Sequence, residues 1–187
     1  MVDNFFGVQQ AIEFLIEKGH QNIAFITNDL DQNQMHERER AYRETLEKHG
    51  IEINEAQILR LAYDTRSEDA VTEIGAFLYS NPQLDAVFFA TNYLGVYGLE
   101  SIQQIGYVIP GDLAIICFDD HALFRLMAPG ITCIRQPIEA IKNFFRSIAT
   151  TPNTIHQKGC FMGNIIVELS NIDKPLENLL QQIALDH

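Results

Sequence analysis

The chain has 187 residues, 47% hydrophobic and 10% aromatic, the composition of a soluble globular protein able to bury one substantial core. No apolar run approaches the roughly 20 residues of a membrane-spanning helix, and 25 acidic against 13 basic residues give a formal net charge of -12, which repels phosphate backbones. Membrane residence and a grip on nucleic acid through these residues are both disfavoured. The start, MVDNFFGVQQAIEFL, lacks the basic stretch and cleavage site of a secretory signal. Cys117, Cys133 and Cys160 form an odd set in apolar segments, which favours buried reduced thiols over a disulfide framework. Both features fit a cytoplasmic protein.

Asp3 or Asn4 can cap a helix whose Val8, Ala11, Ile12, Leu15 and Ile16 share one face and which Gly19 ends. Asn22 to Thr27 reads as a strand, and the helical pattern from about Gln34 to His49 closes at Gly50. A strand over Gln57 to Ala62, a helix over Thr65 to Ser80 and an apolar strand over Leu84 to Ala90 follow. Tyr93 to Ile105 is a helix ended by Gly106, and Leu113 to Phe118 is a buried strand that breaks off at Asp119 and Asp120. Regular alternation of strand and helix predicts an α/β fold, a doubly wound parallel sheet with right-handed crossovers and helices on both faces.

After Pro129 the pattern changes, with a short strand at Ile131 to Arg135 and a helix from about Ile138 to Thr150. A last strand, Phe161 to Leu169, and a helix, Leu176 to Leu185, complete the chain. The helix from Ile138 carries a large apolar face of Ile141, Phe144, Phe145 and Ile148 that calls for a partner surface.

In open α/β sheets ligands bind beyond the carboxyl ends of the strands. Asn28 and Asp29, then Tyr63, Asn92 and Asp119, gather there, a set of acceptors, an amide and an aromatic face that suits a polyhydroxylated or heterocyclic small molecule. Arg38, early in the following helix, adds a planar donor fork that is always charged. Each residue also has a structural reading. Asn28 or Asp29 can belong to a turn, Asn92 can be a helix N-cap, and Tyr63 can be a partly buried edge aromatic. Arg38 lies in the charge-rich run HERER, usually a solvated helix face, and Asp119 and Asp120 can simply solvate a strand exit.

Signals of catalysis are sparse. The chain has no G-x-G-x-x-G, no G-x-x-x-x-G-K-[ST] and no G-x-S-x-G, and its six histidines lack metal-ligand spacing. The expectation is a binding protein without cofactor or metal, and not an enzyme. Use of Asp119 and Asp120 as acid and base would require shifted carboxyls in a closed pocket.

DN-x-x-G-x-x-x-A-x-x-x-L-I-x-x-GH-x-x-IA from Asp3 to Ala24 resembles the lactose-repressor/galactose-repressor (LacI/GalR) family of bacterial transcription regulators. ERERAYRETLEKHGI, LDAVFFATN, GYVIPGDLAIICFDD and PGITCIRQP follow in the same order at family-like spacing, and the match covers about Asp3 to Ile141. The resemblance implies an effector-binding core of two lobes shaped like a periplasmic sugar-binding protein, preceded by a helix-turn-helix domain that these residues do not include. It implies that 1–136 form the C-terminal lobe, that 137–158 belong to the first lobe, and that 159–187 return to the C-terminal lobe.

Carried over residue by residue, Arg38 would hydrogen-bond effector hydroxyls or carboxylates, Tyr63 would pack on the ligand, and Asn92 and Asp119 would supply an amide and a carboxylate. Asp29 and Gln34 complete the expected effector-binding set. Tyr93 stands where the family usually has Asp, Ala41 replaces a common Gly, Gln34 takes a position often held by a small hydroxyl residue, and the closing v-x-R-x-S-T pattern is missing after Val167. The implied partners are a carbohydrate effector, operator DNA reached only through the helix-turn-helix domain, and a second copy in a homodimer. The alternative of the same architecture is a periplasmic-type sugar-binding or sensor-kinase lobe.

Overall fold

A computed structural model of the chain, which describes residues 4–136, begins with helix α1 (Asn4–Glu17), strand β1 (Ile23–Asn28) and helix α2 (Asn33–Lys48). Strand β2 (Ile58–Leu61), helix α3 (Ser67–Ser80), strand β3 (Ala86–Phe89) and helix α4 (Asn92–Ile105) continue the alternation. Strand β4 (Ala114–Phe118), the short helix α5 (Ala122–Leu126) and strand β5 (Thr132–Ile134) complete the described residues. The elements expected at Ile138 to Thr150, Phe161 to Leu169 and Leu176 to Leu185, and the boundary at residue 158, lie outside them.

The five strands form one sheet in the order β2-β1-β3-β4-β5, and every neighbouring pair is parallel. Residue parity sorts the core into two layers. Phe25, Phe88, Ile116 and Phe118 pack with Val8, Ile12 and Leu15 of α1 and with Tyr42 and Leu46 of α2. Ile26, Val87, Phe89 and Ile115 pack on the other face with Ile74 and Leu78 of α3 and Leu94, Leu99 and Ile102 of α4. Helices on both faces of a parallel sheet bear out the doubly wound reading.

Two elements escaped the periodicity. Glu55–Gln57 form a 3-10 turn at the start of the expected second strand, held where the Asn54 side chain accepts from the Ala56 amide at 3.0 Å. Helix α5 is one turn long, and His121 Nδ1 accepts from the Leu123 amide at 3.2 Å to start it. Thr91, not Asn92, occupies the N-cap position of α4, so Asn92 is its first helical residue.

Because β2 and β3 lie on opposite sides of β1, successive connections leave in opposite directions and open a crevice beyond the carboxyl ends of β1 and β3. Close approach of α4 to the sheet sets the floor below that crevice. A Cβ on Gly98 would lie 2.0 Å from Phe89 Cζ, in a ring with no solvent exposure, whereas one on Gly75 would meet only Ser101 Cβ at 3.9 Å. Gly98→Ala is therefore expected to lower stability by about 1–3 kcal/mol through overpacking. Gly75→Ala, mid-helix in α3, should raise it by roughly 0.5–1 kcal/mol. Urea unfolding of the two variants checks this opposition of sign.

Candidate ligand site at the carboxyl edge of the sheet

Arg38 reaches the edge from α2, and only 3% of its surface is exposed although it is charged. An isolated buried guanidinium is expensive, so its donors must be satisfied. Nε and Nη2 donate to Asn4 Oδ1 at 3.0 and 2.9 Å, and Nη1 donates to the Ala90 carbonyl oxygen beyond β3. The guanidinium carbon sits 3.5 Å from the centroid of the Phe118 ring, a cation–π contact at the end of β4. Burial pushes this guanidinium down to about 10, opposed by the charge of Asp119, and it stays protonated at neutral pH.

Asp119 leaves β4 with φ 69°, the left-handed region that Asp tolerates better than most residues. Its amide donates to the Ile134 carbonyl at 2.9 Å, and its Oδ1 accepts from Gln136 Nε2. Burial pushes its carboxyl above the usual range, while Arg38 and the Gln136 hydrogen bond pull it back. The turn thus holds a carboxylate near a buried cation at the exit of β4.

Next along the edge, Asn92 Nδ2 donates to the Asp120 carbonyl at 3.3 Å, tying the start of α4 to the exit of β4. Asp120 Oδ2 pairs with Arg125 and Arg135, each at 3.1 Å, which gives this second carboxylate a structural role. Asp29 staples β1 to β2. Its amide donates to the Leu61 carbonyl at 2.9 Å and its Oδ1 accepts from the Tyr63 amide at 2.8 Å. Tyr63 is 63% exposed, so the edge-aromatic reading gives way to an open ring face beyond β2. Gln34 is half-buried on α2, and its amide donates to Gln32 Oε1 at 2.7 Å rather than to any other expected site residue.

The structure adds residues that sequence patterns did not single out for the site. Asn4 lies 34 positions before the arginine it holds, a pairing no local pattern announces. Tyr93, noted only as a departure from the family, puts its hydroxyl where Asn28 Nδ2 donates to it, across the crevice between β1 and β3. Gln136 acts through Asp119. At the same edge two buried polar atoms, Thr91 Oγ1 and Asp120 Oδ1, have no hydrogen-bond partner among the described residues.

A parallel-sheet lobe with its polar groups gathered at the carboxyl edge defines a periplasmic-binding-protein-like ligand-binding fold. Residues 12–142 match the model of the periplasmic binding protein-like domain, and the chain belongs to that family. The cellobiose-complexed transcriptional regulator CelR has a solved structure with TM-score 0.69 and 30% identity, over 79% of this chain and 44% of that one. Among curated relatives, the HTH-type regulator CelR of Thermobifida fusca is 33% identical over 74% of this chain and 40% of its own length. The ribose operon repressor of Haemophilus influenzae is 32% identical over 68% of this chain and 38% of its own. The chain therefore spans about two fifths of the length of these relatives. Its likeness to LacI-family regulators, read from the motifs, is borne out.

The raised Asp119 carboxyl has a signed consequence. A carboxyl whose native pKa lies above its unfolded value binds the proton more tightly when folded, so its contribution to stability declines as pH rises from about 4 through the native value. Asp119→Asn keeps the left-handed turn and an acceptor for Gln136 but removes the titration. The stability of the wild type relative to this variant, measured by urea unfolding across pH, is expected to fall with rising pH over that window and then level off. A relative stability that grows with pH would contradict the assignment.

Proposed function

We propose that this chain is the small-molecule-sensing part of a bacterial transcriptional regulator and that its effector is a carbohydrate or carbohydrate-like polyol. The observation that carries the reading is the polar edge organised by buried Arg38 and Asp119, in a lobe whose relatives include a cellobiose-complexed regulator and a ribose operon repressor. Asp29, Asn92 and Asp119 offer acceptors and an amide to hydroxyl groups, Tyr63 offers a ring face to a sugar ring, and Arg38, which braces this edge, is the charged donor for effector hydroxyls or carboxylates. Gln34 joins this set through its place one turn before Arg38 on α2. Buried Thr91 Oγ1, which has no partner among the described residues, adds to this reading, since buried polar atoms ordinarily find partners.

The role is binding rather than catalysis, without cofactor, and the location is the cytoplasm, where operator DNA is read by residues outside this chain. Effector binding would favour one arrangement of a homodimer and so change the spacing of its DNA-reading domains. The names of the relatives support regulation over the periplasmic-transport or sensor-kinase alternative.

Calorimetric titration of the chain with a panel of mono- and disaccharides that includes cellobiose and ribose tests the reading. At least one sugar is expected to bind, weakly because one lobe supplies a single wall of a two-lobed cleft, and its affinity should fall ten- to a hundredfold in Asp119→Asn. That loss corresponds to about 1.5–3 kcal/mol for one hydrogen bond to a charged group. Silence across the panel, or a ligand that binds the variant equally well, would remove the proposal.

A further inference from the structure

The two described cysteines are paired by the sheet. Cys117 of β4 and Cys133 of β5 are register partners on adjacent parallel strands, and both side chains lie on the α3/α4 face. Neighbouring strands run about 4.7–4.9 Å apart, inside the span of roughly 4.4–6.8 Å between Cα atoms that two bridged cysteines occupy. Both thiols are free. Cys117 has no exposure and sits under the backbone of α4, where a Cβ on Gly95 would fall 2.5 Å from its Sγ. Cys133 is half-buried on the edge strand and supplies access from solvent.

Burial pushes both thiols above their ordinary range, most strongly for Cys117, and each thiol feels the other's charge or that of Asp120. Neutral buried thiols are poor nucleophiles, which argues against a peroxide-driven disulfide switch. A soft electrophile that takes two sulfur atoms at once has a different demand, namely two thiols held side by side with no chain ordering left to lose.

We propose that Cys117 and Cys133 form a two-thiol site for a thiophilic electrophile of the trivalent-arsenical class. With an organoarsenic(III) oxide, two As–S bonds form, the arsenic–oxygen bond breaks, and both thiol protons leave with the oxygen as one water. No oxidation state changes. The bridge would clip β4 to β5 two residues before Asp119, whose amide already bonds to Ile134 beside Cys133.

Phenylarsine oxide added to the reduced full chain tests this. Intact-mass analysis should show one phenylarsine adduct formed with loss of one water, and non-reducing trypsin digestion should recover the peptides Ser67–Arg125 and Leu126–Arg135 joined through it. The adduct should resist excess glutathione, a monothiol, and be released by 2,3-dimercaptopropanol. Cys133→Ser at the half-exposed position should abolish it with circular dichroism unchanged, whereas Cys160→Ser should leave it intact. No adduct, an adduct mapped to Cys160, or one exchanged by glutathione would each overturn the proposal.

Discussion

A buried guanidinium is the constraint around which this lobe is arranged. Arg38 keeps its charge at 3% exposure, and breaking up a buried charge cluster by removing one partner typically costs about 3–5 kcal/mol. Its contacts join four separate parts of the chain. Asn4 belongs to α1, Arg38 to α2, Ala90 lies at the exit of β3, and Phe118 with Asp119 lies at the exit of β4. The carboxyl edge of the sheet is thereby held in one arrangement before any ligand arrives, and preorganisation of this kind lowers the ordering cost of binding.

The same residues divide into supports and free groups. Asp29 spends its amide and one carboxylate oxygen on the exits of β1 and β2, and Asp120 holds Arg125 and Arg135. Asp119 spends one oxygen on Gln136 and accepts no hydrogen bond at Oδ2 among the described residues. The wall is rigid because its supports are satisfied, and the capacity left over is concentrated in acceptors, which suits the hydroxyl groups of the proposed effector. Tyr93 bridging to Asn28 spans the crevice between β1 and β3 with a phenol.

Period and punctuation made the long elements legible. The stripes Val8–Ala11–Ile12–Leu15 and Val71–Ile74–Leu78 and the glycines that follow helices are local signals, and among the described residues the structure keeps the long elements with their ends shifted by a few residues. Helix α5 was not legible because a single turn has no period, and the turn at Glu55–Gln57 depends on one Asn54 hydrogen bond. In the site, the gathering of Asp29, Asn92 and Asp119 followed from strand ends alone. The depth of Arg38 did not, since HERER reads as a solvated run. Its neighbours do behave that way. Glu39 pairs with Arg43 and Arg60 at the surface, while Arg38 turns inward to partners distant in sequence. Long-range partners of a polar side chain leave no trace in local periodicity, which is why the contacts of Asn4, Tyr93 and Gln136 at this edge are not legible in the sequence.

Mapping of backbone amide NMR shifts during titration of the chain with the mono- and disaccharide panel tests the central claim most directly, because it locates a ligand even when binding is weak. The account predicts shifts concentrated at Asp29, Asn92, Asp119, Asp120 and Gln136, with the opposite end of the sheet around His20 and Asp85 unmoved. Shifts centred on that opposite end, or no shifts with any sugar, would contradict the assignment of the Arg38–Asp119 edge as the ligand-binding wall.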